Sequence, residues 1–102
     1  MKDKLYGYDI DGVISKNIQV KFPYVIISGR TFKEYDKFVK QLAQNIPVYI
    51  RGVGEYGDRI HAGEFKSQII NILEVSEYYE DDPAQANIIK LNCPDCKVIM
   101  VN

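Results

Sequence analysis

The sequence predicts a protein of the α/β class: one three-layer domain over residues 1–102, built on a mostly parallel sheet of five strands. Three observations predict it. Short runs rich in β-branched and aromatic residues alternate with stretches of helical periodicity, the order that successive βα units impose. The helical stretches open on recognisable capping residues. The length of 102 residues, with 46% hydrophobic and 26% charged side chains, suits one ordinary core and leaves no room for a second.

Strands are expected over residues 5–10 (LYGYDI), 24–27 (YVII), 47–50 (PVYI), 76–79 (SEYY) and 97–101 (KVIMV). They end respectively at Asp-Gly, at Ser28-Gly29, at Arg51-Gly52, at Glu80-Asp81-Asp82 and near the last residue. Thr31-Phe32-Lys33-Glu34 has the form of a capping box. Tyr35, Phe38, Val39, Leu42, Ala43 and Ile46 follow it at helical spacing, which predicts one amphipathic helix. A second helix is expected from near Gly63 to Leu73, with Phe65, Ile69, Ile70 and Leu73 facing inward. Asp82-Pro83 reads as an N-cap followed by proline in the first helical position, opening a third helix through Ile89. Between Asp11 and Tyr24 only twelve residues intervene, with Pro23 among them and little helical periodicity. A parallel crossover that carries a helix normally needs more, so an irregular loop or small hairpin is expected there. The layout is Rossmann-like.

The 13 basic and 14 acidic side chains give a formal net charge of −1, which argues against a general binder of nucleic acid or anionic membranes. No apolar run approaches the roughly 18 residues of a membrane span, and the opening MKDKLYGYDID lacks a signal peptide's apolar stretch. Two cysteines make no disulfide framework, so a reducing cytoplasm is the expected compartment.

Ligands of parallel α/β sheets bind at the carboxyl ends of the strands. Three expected ends carry chemistry: Asp9-Ile10-Asp11-Gly12, Ser28-Gly29-Arg30 and Glu80-Asp81-Asp82. Carboxylates meeting on one edge repel unless a cation offsets them, and hard oxygen ligands favour Mg2+. Ser28, with the Gly29 amide and a helix start after it, makes a phosphate cradle, and Lys66 can add positive charge. Around a tight turn Asp9 and Asp11 can both face the site. One carboxylate can then attack phosphorus while the other, kept protonated by crowding, donates to the leaving oxygen.

YDIDGVI at 8–14, VIISGR at 25–30, Lys66 in GEFKS and YYEDDP at 78–83 resemble the four ordered motifs of the haloacid-dehalogenase-like (HAD) hydrolase superfamily. DxDGV alone is moderately specific; four motifs in order are strongly so. The resemblance implies a Mg2+-dependent phosphatase acting on a phosphorylated substrate. It makes Asp9 the nucleophile that forms an aspartyl-phosphate, and Asp11 the general acid/base, which also offers its backbone carbonyl to the metal. Ser28 and Gly29 would hold the phosphoryl group, and Arg30 is placed with Gly29 among the binding residues. Lys66 would neutralise nucleophile and phosphate, and Asp81 would bind the metal alongside Asp9 and Asp11, supported by Asp82. The short segment between the first two motifs implies a capless member with an open site. A second subunit of a homo-oligomer could cover such a site.

Two further readings stay open. One is a HAD-like domain that only binds phosphate, metal or another protein. The retained Asp9 and Asp11 speak against it, since binding alone has no need of both. The other is a phosphatase acting on nucleic-acid ends, which an open site permits and a near-neutral charge disfavours. Gly52-Val53-Gly54-Glu55-Tyr56-Gly57 fits G-x-G-x-x-G but stands after the third strand, where no dinucleotide fold fits around it. It is expected as a glycine loop beside the site, whose tyrosine and Arg51 could touch substrate. Cys93-Pro94-Asp95-Cys96 has half the ligands of a structural zinc site, and is expected as a turn with two small thiols, the alternatives being a zinc shared across a dimer or a redox pair.

Overall fold

The computed structural model describes residues 3–55 and 57–102. Its strands are β1 (Tyr6–Tyr8), β2 (Tyr24–Thr31), β3 (Val48–Gly52), β4 (Glu77–Glu80) and β5 (Lys97–Met100). Its helices are α1 (Lys37–Ala43), α2 (Arg59–Leu73) and α3 (Pro83–Asn92), with short 3-10 turns at Ile14–Lys16 and Phe32–Glu34. All strand pairs are parallel, in the order β3-β2-β1-β4-β5. The sheet is therefore wholly parallel.

Alternation along the central strands produces the layers, because successive side chains leave a strand on opposite faces. Val25 and Ile27 pack with Ile70 of α2, Ile89 of α3, Val75, Tyr78 and Cys93. Ile26 between them faces the other way and meets Ile10 and Val39 of α1. Strands buried on both faces read as continuous apolar runs, as YVII does. Among the described residues no helix is long and apolar enough to cross a membrane.

The link from β1 to β2 is an irregular loop, as expected, and forms no hairpin. It turns at 10–13, passes through the 3-10 turn and a left-handed Asn17, and runs into β2. The layer that a crossover helix would fill is occupied by aromatic rings. Tyr8 stacks on Tyr79 with ring centres 4.6 Å apart and meets Tyr24 edge-on at 5.5 Å; Phe22 packs on Tyr24 at 5.0 Å. The Lys21 amide donates to the Tyr8 hydroxyl (2.8 Å) and its ammonium reaches Glu77 (3.3 Å), which ties the loop to this face.

Most expected elements differ in extent: β1 stops at Tyr8, β3 runs on to Gly52 and α3 to Asn92, and three others differ in ways that bear on the site. The single helix after Thr31 is two pieces: the capping box closes only the 3-10 turn, with the Thr31 amide donating to Glu34 (2.9 Å). A second cap, Asp36, then accepts from the Val39 amide (3.1 Å) and starts α1. Val39, Leu42 and Ile46 join the core, while Tyr35, Phe38 and Ala43 stay exposed. β2 continues through Ser28-Gly29-Arg30 to Thr31, with its register to β3 shifting between Ser28 and Thr31; no helix starts directly after Ser28. α2 begins earlier than expected because the Asp58 side chain accepts from the His61 amide (3.1 Å).

α2 lies so close to β2 that a methyl group at Gly29 would stand 2.6 Å from the Ala62 Cβ. Gly29→Ala is expected to destabilise the fold by about 1–3 kcal/mol through overpacking, measured by urea unfolding. Ala62→Gly in the same chain should return part of that loss.

Candidate functional site

Asp9 follows β1 directly, and its amide continues the ladder by donating to the Tyr79 carbonyl (3.1 Å). The residue is 6% exposed, and Oδ1 accepts from the Ile10 amide (2.8 Å). Lys66 comes from the middle of α2 and is 1% exposed. Its ammonium lies 2.6 Å from Oε1 of Glu80 and 3.3 Å from Oδ2 of Asp9. Glu80, the last residue of β4, has no exposed surface, and its Oε2 accepts from the amides of Asp81 (3.1 Å) and Asp82 (3.3 Å). Below the ammonium, the Tyr78 ring centre is 5.8 Å away and its hydroxyl donates to the Ile27 carbonyl (2.6 Å).

Carboxylate oxygens of Asp9, Glu80 and Asp81 all lie within 4.8 Å of one another. Three carboxylates thus face one ammonium. Burial pushes the Asp9 carboxyl well above the usual carboxylate range; Lys66 opposes this, and Glu80 adds to it. Burial alone would lower the Lys66 ammonium, but Asp9 and Glu80 outweigh it and hold it above its ordinary value. Burial and the neighbouring Glu80 also raise Asp81. An all-oxygen set with surplus negative charge fits a hard divalent cation. Gly12 makes the cluster possible sterically, since a side chain there would meet Oδ2 of Asp81 at 1.8 Å.

A cavity of about 410 Å³ opens above this group and is lined by Asp9, Asp11, Ser28, Gly29, Lys66 and Asp81, with Glu34, Arg51, Asp58, Arg59 and Gln85 among its other walls. The buried Ser28 hydroxyl accepts from the Arg30 amide (3.2 Å). Asp11 stands at the rim, where Arg30 grips both of its oxygens (2.9 and 3.2 Å). Arg30 also donates to the Glu34 carbonyl and to Asp36. It is committed to this chain's own acceptors and does not line the cavity. Asp82 caps α3 by accepting from the Ala84 amide (3.1 Å), and also receives Arg59 (3.2 Å) and Gln85 (2.9 Å). Neither Asp11 nor Asp82 belongs to the close carboxylate group, whose third member is Glu80.

Strand alternation was the signal for Glu80: if Tyr78 points inward, so does the residue two further on. Of the glycine loop, Gly52, Gly54 and Gly57 have positive φ, and Arg51 and Gly57 line the cavity; Tyr56 lies outside the described residues. At the far end of α3, Cys93 accompanies a turn in which the Cys96 amide donates to the Cys93 carbonyl (3.1 Å). Burial raises both thiols, Cys96 to about 12. Comparison of the chain with protein-family models, curated proteins and solved structures finds no match.

Removing the cation from this buried group should be costly. Lys66→Met is expected to destabilise the protein by about 3–5 kcal/mol at pH 7, read by urea unfolding, and Glu80→Gln added to it should recover part of the loss.

Asp58, in the cavity wall, pairs with His61, three residues later in the chain. Asp58 raises the His61 pKa above its ordinary 6.5, and His61 in turn lowers Asp58 below 3.8. The contribution of a raised histidine is complete below its unfolded value and is lost as pH rises through its folded one. That of the lowered aspartate is lost as pH falls below its ordinary value. NMR titration should therefore show His61 titrating above 6.5, and Asp58→Asn should bring it back down.

Proposed function

We propose that this protein is a Mg2+-dependent phosphohydrolase of the HAD-like type, turning over phosphomonoesters through an aspartyl-phosphate on Asp9. One observation carries the reading: a buried carboxylate at the carboxyl end of the central strand, in the wall of a cavity, held by a backbone amide and a buried lysine. A merely structural aspartate has no need to line a cavity beside two further carboxylates.

In the first step an Asp9 oxygen attacks phosphorus while the bond to the leaving oxygen breaks, and the Asp11 carboxyl gives that oxygen its proton. In the second, the Asp11 carboxylate takes a proton from water, whose oxygen attacks the aspartyl-phosphate, freeing inorganic phosphate and restoring Asp9. Ser28 and the Gly29 amide hold the phosphoryl oxygens, and Lys66 offsets charge that builds on them. Asp9 and Asp81, with Glu80 behind them, are the residues to hold the metal. Bound there, Mg2+ supplies the positive charge that keeps Asp9 ionised and balances the phosphoryl group. Arg30 fixes Asp11 at the rim, and Asp11 must leave at least one of those bonds to exchange its proton.

The grip of Arg30 on both Asp11 oxygens favours a second reading, a domain that binds phosphate and metal without turnover. An aryl phosphate assay separates the two. Phosphate release should depend on Mg2+, disappear in Asp9→Asn, and fall by about 10²–10⁴-fold in Asp11→Asn. Turnover that survives Asp9→Asn contradicts the nucleophile, and no turnover on a broad phosphate panel supports the binding domain.

A further inference from the structure

We propose that Arg51 binds a second anionic group of the substrate, so that the site selects phosphomonoesters carrying another phosphate or a carboxylate. This rests on the phosphatase reading above for the position of the first phosphate.

Arg51 is the residue after Ile50, which pairs across the sheet with Ser28. Its side chain is anchored without spending its charge. Nε donates to the Gly29 carbonyl (3.1 Å) and Nη2 to the Glu55 carbonyl (2.9 Å). A guanidinium has five N–H donors, so three are left, including both on Nη1. Gly54 leaves room for that end of the group, since a Cβ there would lie 2.3 Å from Nη1.

The other cations around the cavity are matched by carboxylates. Lys66 sits between Glu80 and Asp9, Arg59 reaches Asp82, and Arg30 holds Asp11 and Asp36. Among the described residues no carboxylate pairs with Arg51. Asp58 in the same wall feels its charge but makes no ion pair with it, and the group is fixed by two neutral carbonyls. Such a preset fork matches the paired oxygens of a carboxylate or phosphate.

Arg51 also lines a second space of about 390 Å³ beside the first, with Val53, Gly54, His61 and Gln68. Asp58 and Glu64 face that space too, but Asp58 is paired with His61 and Glu64 lies 4.0 Å from the same ring. A substrate with its phosphoryl group on Asp9 has its remaining atoms directed out of the first cavity. The guanidinium stands at the junction, where it can grip the far end.

The test compares propyl phosphate with propane-1,3-diyl bisphosphate in excess Mg2+. The wild type should prefer the bisphosphate in kcat/KM by about tenfold to a hundredfold, the range of one or two charge-assisted hydrogen bonds, and the preference should lie in KM. Arg51→Gln should bring the ratio to about the twofold that two equivalent phosphates give, and Arg51→Lys should keep part of it. A wild-type ratio near two, or a ratio unchanged in Arg51→Gln because both substrates suffer equally, overturns the proposal. Calorimetry on the Asp9→Asn protein, with and without Arg51→Gln, reads the same preference in binding. Absence of turnover with the binding preference intact would therefore count against the phosphatase and for the Arg51 site.

Discussion

Lys66 is the residue on which the arrangement depends. Its ammonium, almost without exposed surface, stands 2.6 Å from a glutamate that has none and 3.3 Å from an aspartate that has little. Ions placed that deep are stable only if each finds its counter-charge. The fold meets this demand by bringing three elements together: the end of β1 supplies Asp9, the end of β4 supplies Glu80, and the middle of α2 supplies Lys66. Once they are in place, Asp81 is carried beside them by its position after Glu80, and Ser28 and Gly29 by the neighbouring strand. Three carboxylates gathered near one ammonium make a group that could hold a metal ion.

The contact that sets the height of Lys66 over the sheet is small: Ala62 resting on Gly29. Four residues further along α2, one turn of helix, comes the lysine. The other side of the sheet lacks the crossover helix between β1 and β2, and the rings of Tyr8, Tyr79, Tyr24 and Phe22 fill its layer. After Asp11 at the rim the short link supplies no lining residue, and Arg51, Gly57, Asp58 and Arg59 form that part of the wall. Of these, Arg51 is the cation held by backbone carbonyls and not by an ion pair.

Much of this was legible in the sequence where local chemistry and tertiary demand agree. YVII reads as a buried parallel strand because it is one, and Asp82-Pro83 reads as a helix start because the aspartate caps α3. Asp9, Asp11, Ser28, Gly29, Lys66 and Asp81, singled out from strand ends and from the family resemblance, line one cavity. The misses occur where two local signals compete. Thr31 and Asp36 are both good caps, so the periodic stretch between 31 and 46 broke into a 3-10 turn and a shorter helix. Asp82 cannot both cap a helix and join the close carboxylate group, and Glu80, inward by alternation, takes that place. Arg30 is bound by Asp11 and Asp36, two carboxylates distant from each other in sequence that no spacing rule connects.

The most direct test of Asp9 as the phosphoryl acceptor is a crystal structure of the protein with Mg2+ and beryllofluoride, which mimics a phosphoryl group on a carboxylate. The adduct should sit on an Asp9 oxygen within reach of the Ser28 hydroxyl and Lys66, with the cation between Asp9 and Asp81. A structure with the cation bound there and Asp9 unmodified, or with the adduct on another carboxylate, would contradict it.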